Sequence, residues 1–327
     1  MKTRRAVVLM NLGGPDSLAA VRPFLYNLFA DPAIIGLPAA LRLPLAWMIA
    51  AHRNRTAQRI YAHLGGSSPL LVNTQAQANA LEVELGPEYR CFIAMRYWHP
   101  MTAATVAAVK LWRPDAIALV PLYPQFSTTT TASSLAAWQR EAARQDLDAD
   151  TSIVHSYPTA PGFVAALVGA IDPMLDPSGA PARLLFSAHG LPMKIVRAGD
   201  PYPREVEQTA QAVIAAMGRP SLDWRVCYQS RVGPLAWLGP SIDEELRRAG
   251  RDRSGVVVAP ISFVSEHSET LVELDRDYRR LAQQYDVPFY RRAPTVGTDT
   301  RFIAALAGLV RGAEHCAEPG RPAPAPA

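Results

Sequence analysis

One histidine ends an apolar run in a way that could do chemistry. His189 follows Leu184-Leu-Phe-Ser-Ala and is followed by Gly190-Leu-Pro192, a buried-strand pattern that breaks at a turn. A histidine at a strand end faces the mouth of the sheet. There a neutral imidazole can accept a proton near neutral pH or bind a divalent metal. The plainer alternative is a histidine merely bonded in its turn. About eighty residues later the segment Ser265-Glu-His-Ser-Glu-Thr-Leu-Val-Glu-Leu-Asp-Arg-Asp-Tyr278 begins a helix. At 3.6 residues per turn, Glu266, Glu269, Glu273 and Asp277 fall on one acidic stripe, with Leu271, Leu274, Tyr278 and Leu281 on another side. A solvated acidic face is the plain reading, and acids suit a first helical turn. Four carboxylates in line exceed what capping requires. In a site of low dielectric they would attract a divalent cation, and one could hold a proton. His267 falls toward the apolar side and reads as a support rather than a ligand. No HExxH occurs, so zinc hydrolysis has no motif, and spacing alone does not name the reaction.

The elements that must position these residues alternate. Val7–Leu12, Arg90–Met95, Ala116–Val120 and Ser152–Val154 read as short apolar strands, with helices over 73–85 and 101–112. The rhythm repeats: strands at Leu184–Ser187, Trp224–Tyr228 and Val256–Ile261, helices over 161–175 and 203–217, and a helix of about twenty residues after the last strand. This predicts an α/β fold of parallel sheets flanked by helices. Two similar halves are expected, 1–150 and 151–312, with a Pro/Ala-rich disordered tail over 313–327. Ligands in such sheets bind beyond the carboxyl ends of the strands. Gly13-Gly14-Pro15 lacks the third glycine of a dinucleotide fingerprint and reads as a tight strand-to-helix turn; no GxxxxGK[ST] occurs.

Composition narrows the classes. With 49 % apolar and 19 % charged residues in 327, the chain can bury a large core. A net charge of +4 and no basic block interleaved with aromatics argue against nucleic acid. Cys91, Cys227 and Cys316 are scattered, without CxxC, which supports neither a disulfide framework nor a cysteine zinc site. The N-terminus lacks a secretory pattern, so a cytoplasmic protein is expected. Residues 33–51, AIIGLPAALRLPLAWMIAA, approach a membrane span in length, but Pro38, Arg42 and Pro44 interrupt them. Two readings stay open: a broken, buried helix pair, or an apolar lip that touches a membrane or a large apolar ligand.

These residues resemble the ferrochelatase family, which inserts ferrous iron into a porphyrin. The resemblance is carried by Leu9-Met-Asn-Leu-Gly-Gly-Pro15, Gly65-Gly-Ser-Ser-Pro69, Met95-Arg-Tyr-Trp-His-Pro100 and Tyr123-Pro-Gln-Phe-Ser127. It continues through the run from Leu184 to Tyr202, Tyr228-Gln-Ser-Arg-Val-Gly-Pro234, Trp237-Leu-Gly-Pro240 and Ser265 to Leu274. The family implies two Rossmann-like domains with the active site in the cleft between them, and a lyase reaction in haem biosynthesis. It implies that His189 is the active-site histidine, paired at the metal with Glu269. Glu273 and Asp277 continue the line of acids. Arg53 and Ser68 match positions near porphyrin propionates. Leu28, Phe29, Arg96, Tyr97, Tyr123, Trp237 and Phe263 match the pocket wall.

The substrates implied are protoporphyrin IX and Fe²⁺, with release of two protons. The apolar 33–51 lip favours protoporphyrin over coproporphyrin; a non-catalytic porphyrin or haem carrier is the alternative outside the enzyme class. No resident cofactor is expected. Some relatives carry a 2Fe–2S cluster on cysteines, but the tail here has none beyond Cys316, and Thr128 stands where the animal form has cysteine. A monomer is expected, with peripheral membrane contact through the lip and the last helix packing back on the first half.

Overall fold

The computed structural model describes residues 3–175, 181–231, 233 and 235–316. In chain order the first half runs β1 (Arg5–Asn11), α1 (Val21–Phe29), α2 (Ala39–Ala62), α3 (Leu70–Leu85), β2 (Tyr89–Met95), α4 (Thr102–Trp112), β3 (Ala116–Pro121), α5 (Thr131–Arg144) and β4 (Asp150–Ile153). The second runs α6 (Pro161–Ile171), β5 (Ala182–His189), α7 (Met193–Arg197), α8 (Tyr202–Met217), β6 (Asp223–Gln229), α9 (Ile242–Arg251), β7 (Gly255–Pro260), a π-wound helix over Glu269–Tyr278, α10 (Arg279–Gln284), β8 (Tyr290–Arg292) and α11 (Thr300–Cys316). The strands form two parallel sheets of the same order, β2-β1-β3-β4 and β6-β5-β7-β8.

The apolar runs have no polar alternation because both sheet faces are covered. In β1, Val7 and Leu9 point into one cluster while Ala6, Val8 and Met10 point into another. In β7, Val257 and Ala259 face one way and Val256 and Val258 the other. The cluster holding Val7 and Leu9 also holds Leu184, Phe186 and Val257, so one core is shared by both sheets. The helices α3, α6, α8 and α11 form that shared layer, and α11 packs on α3, β3 and β4 of the first half.

Four expectations need correction. The first sheet passes residue 150, because β4 pairs in parallel with β3 as far as Ile153. Residues 313–316 are helical, being the end of α11; 317–327 lie outside the described residues. The region 33–51 is not a broken, buried pair. Pro38 precedes α2, and the helix runs through Pro44 to Ala62 as one element. Its first turns expose Leu41 (62 %), Trp47 (57 %) and Met48 (56 %) to solvent. Finally, the segment after β7 is not one α-helix of twenty residues. It is π-wound over Glu269–Tyr278 and α-wound only over Arg279–Gln284. Among the described residues no helix is long and apolar enough to cross a membrane.

Candidate active site

Parallel pairing brings His189 opposite Gln229 at the carboxyl ends of β5 and β6. Gly190 lets the chain turn there: a Cβ on it would lie 2.9 Å from the Gln229 carbonyl oxygen, which accepts the Gly190 N–H. His189 Nδ1 stands 2.8 Å from Glu269 Oε2, at the start of the π-wound helix. The two side chains keep 41 % and 24 % of their surface exposed, so the pair is reachable.

The neighbouring groups set the charges. Burial disfavours the charged imidazole, but the Glu269 carboxylate and its hydrogen bond outweigh burial and raise the His189 pKa. Burial likewise works against ionised Glu269, yet the His189 charge and bond, His267 and Ser230 bring it down to about 2. Glu273 goes the other way, raised by burial and by the charge of Glu269. The Ser230 hydroxyl lies 2.9 Å from Glu269 Oε2 and 2.6 Å from Glu273 Oε2. A hydroxyl has a single proton to donate. One proton cannot serve both carboxylates at once, so the hydroxyl donates to Glu269 or to Glu273 in turn. The Ser230 N–H and the Tyr278 hydroxyl both donate to Glu273 Oε1, at 2.9 and 3.3 Å. Ser230 sits at φ +61°, a left-handed conformation costing of order 1–3 kcal/mol for a residue other than glycine.

The predicted acidic stripe is broken. The winding does not scatter i and i+4; the outer acids are drawn off by partners of their own. Glu269 and Glu273 converge on Ser230, but Glu266 bonds Arg292 and the Thr295 N–H, and Asp277 lies out beside Arg280. His267 is buried, its Nδ1 3.1 Å from the Ser265 carbonyl, and burial lowers its pKa. The Phe263 ring lies 4.6 Å from its ring centroid. Trp237 packs near Gly190, its indole N–H buried without a protein partner. Among the described residues no three His, Cys, Asp or Glu side chains are arranged to hold a metal ion.

The other predicted wall residues gather in the first half. Leu28 and Phe29 pack against the buried cluster that holds Tyr61, as does Trp98, and the Arg53 guanidinium lies 5.8 Å from the Phe29 ring. Ser68 donates its N–H to the Pro15 carbonyl, beside the turn that Gly13 makes at φ +85°. Arg96 donates to Ser133 (2.8 Å) and Asp31 (2.7 Å). Tyr97 is no wall. It is 1 % exposed, and its hydroxyl donates to Asp31 at 2.8 Å, because a buried carboxylate needs donors. Tyr123 is partly exposed, with its hydroxyl buried. Tyr61 connects the halves: burial raises its phenol to about 12, Ser268 opposes this by hydrogen bonding, and Glu269 adds to it. The far end of α2 thus sits near Glu269. A concavity of about 800 Å³ between α3, β2 and α4 lies elsewhere, away from His189.

The sequence model of the Ferrochelatase family matches residues 4–314. This chain belongs to the ferrochelatase family. A ferrochelatase from Caulobacter vibrioides (strain NA1000 / CB15N) is 52 % identical over 318 residues, 95 % of this chain and 90 % of that one. One from Wolbachia sp. subsp. Drosophila simulans is 48 % identical over 313 residues, 94 % and 98 % of the two chains. The fold is shared with more distant chelatases. SirB from Bacillus subtilis with Fe³⁺ superposes with a TM-score of 0.59 at 12 % identity, over 97 % of this chain and 98 % of that one. The ferrochelatase is accordingly a lyase of haem biosynthesis that inserts metal, on two parallel four-stranded sheets.

Sequence reasoning passed over Gln229 and Ser230. Both lie inside the quoted Tyr228–Pro234 motif, and the β5–β6 register would have put Gln229 opposite His189. Asp31 was missed because a lone aspartate after α1 carries no pattern.

Proposed function

We propose that this ferrochelatase inserts Fe²⁺ into protoporphyrin IX, working as a monomer, with His189 and Glu269 as the groups that meet the metal and the pyrrole protons. The observation that carries this is the 2.8 Å contact between His189 Nδ1 and Glu269 Oε2 at the open end of the second sheet. A free porphyrin holds two N–H protons, and its nitrogen lone pairs point inward. Insertion requires bending the ring, removing both protons and stripping water from the cation. Apolar and aromatic walls can spend binding energy on the bend. Glu269, ionised with a pKa of about 2, can replace water on the incoming cation. The positive charge arriving there cancels the field that keeps a proton on His189. The imidazole then passes that proton to solvent and takes the two pyrrole protons one after the other, releasing each to solvent as the N–H bonds are replaced by bonds to the metal. Glu273 and Ser230 offer the next stations for a proton leaving toward solvent.

Protoporphyrin is favoured over coproporphyrin by the first turns of α2. Leu41, Trp47 and Met48 are exposed there, and an apolar rim of that kind would suit a porphyrin with two propionates better than one with four. The same exposed side chains support a peripheral contact with the membrane. Anaerobic metallation of both porphyrins by the purified protein tests the substrate. Faster turnover of protoporphyrin is expected, and preference for coproporphyrin would overturn the choice. Binding of either without metallation would make the protein a carrier. Flotation with anionic lipid vesicles tests the membrane contact: Trp47→Ser should weaken it, and equal flotation would refute it.

A further inference from the structure

Ten residues of continuous π winding are long for a geometry mostly seen in single turns. Something outside the helix must hold it open, and β8 lies alongside. Arg292, 9 % exposed, grips Asp275 with two parallel bonds, Nε to Oδ1 and Nη2 to Oδ2, both 2.7 Å. Its Nη1 donates to Glu266 Oε1 at 2.8 Å. Glu266 precedes the wide helix and Asp275 lies within it, so a single guanidinium ties its approach to its interior. Tyr290 adds a second tie, its hydroxyl donating to the Leu274 carbonyl at 2.8 Å. Arg279 returns the contact by donating from Nη1 to the Tyr290 carbonyl at 2.9 Å. The planar guanidinium fork suits this grip; an ammonium can supply the charge but not the paired geometry.

We propose that Arg292 is a positioning residue for metal insertion: by tying Glu266 and Asp275 to β8, it keeps the helix widely wound and so sets Glu269 against His189 and Glu273 against Ser230. The proposal rests on the reading that His189 and Glu269 carry the reaction. Arg292 itself bonds none of those four side chains. If the ladder tightened to i→i+4 bonds, Glu269 and Glu273 would still share a face, but each residue would turn through 100° and rise 1.5 Å, shifting both carboxylates in angle and height against His189 and Ser230.

Arg292→Met, Arg292→Lys and Asp275→Asn test this in the intact protein, with protoporphyrin metallation read as kcat and KM. Arg292→Met should lower kcat on the order of 10–100-fold, the cost of small misplacements at a reacting centre. The KM for porphyrin should hold within about threefold, since uniform binding is untouched. Lysine should restore little. Hydrogen exchange should quicken over 269–278 while the first sheet keeps its protection. A folded Arg292→Met with wild-type kcat, or with only a raised KM, overturns the proposal, as does full rescue by lysine. Should Arg292→Met fail to fold, Asp275→Asn must still lower kcat several-fold, and unchanged kcat there refutes the clamp. The underlying reading fails separately, if His189→Ala retains full activity.

Discussion

The two halves share a backbone plan and divide the labour. Each has four parallel strands in the same order, with a proline carbonyl accepting an N–H near the end of its second strand: Pro100 from Met95 (2.8 Å) and Pro240 from Tyr228 (2.9 Å). Beyond the strands they diverge. The second half places an imidazole and two carboxylates within one hydrogen-bond network. The first half places a neutralised pair, Arg96 with Asp31, among aromatic rings, and sends α2 across to the acid. On the proposed reading, a repeated scaffold carries chemistry at the strand ends of one half and shape in the other.

If that division is right, substitutions should separate into those that stop turnover and those that loosen the structure. Glu269→Gln should have the largest effect, a loss of metallation of about 10²–10⁴-fold with little change in stability. The same change removes the charge that raises the His189 pKa, so its imidazole should titrate lower in an NMR pH series. In the first half, Asp31→Ala leaves the Arg96 guanidinium without its buried partner and should cost roughly 3–5 kcal/mol in denaturant unfolding. Turnover by the remaining folded protein should fall far less than with Glu269→Gln. Equal losses from both would end the comparison.

Asp31 also predicts a pH dependence. Burial pushes its carboxyl up, but the bonds from Ser133, Ala33 and Tyr97 and the Arg96 charge outweigh this and lower the pKa. A lowered folded pKa stabilises above the unfolded value of about 3.9, and that stabilisation is lost as pH falls through the folded value. The stability gap between wild type and Asp31→Asn should therefore be full at neutral pH and narrow below about pH 4. A gap independent of pH would show that Asp31 acts through shape alone.

Between the halves, Thr128 donates its hydroxyl to Asp200 at 2.6 Å and its N–H to the same oxygen at 2.8 Å. Thr128→Val should cost about 1.5–3 kcal/mol, the range for a hydrogen bond to a charged group. Smallest of all, Trp47→Ser on the exposed start of α2 should leave stability within about 0.5 kcal/mol.

The strands were legible because both sheet faces are buried, which leaves uninterrupted apolar runs such as Val256–Ala259. His189 was legible because the break after its strand is abrupt. The helix α9 went unseen, although Ser241 and Glu244 form a capping box, the signature that announces a helix start. Strand β8 is three residues long and includes Arg291 and Arg292, too short and polar for a period to register. The π winding left no sequence trace: its acids fit a 3.6-residue period equally well, and the β8 side chains proposed to hold the wider turn, Tyr290 and Arg292, form no motif. Tyr97 was misplaced because its motif gives the residue type but not the buried Asp31 that draws its hydroxyl inward.

One experiment bears most directly on the pairing of imidazole and carboxylate: anaerobic single-turnover insertion of Fe²⁺ into protoporphyrin IX by wild type and by folded His189→Ala. Rapid insertion by the wild type, slowed at least about 100-fold in the variant, is the predicted result. Insertion by the variant at a rate within a few-fold of wild type would contradict the account.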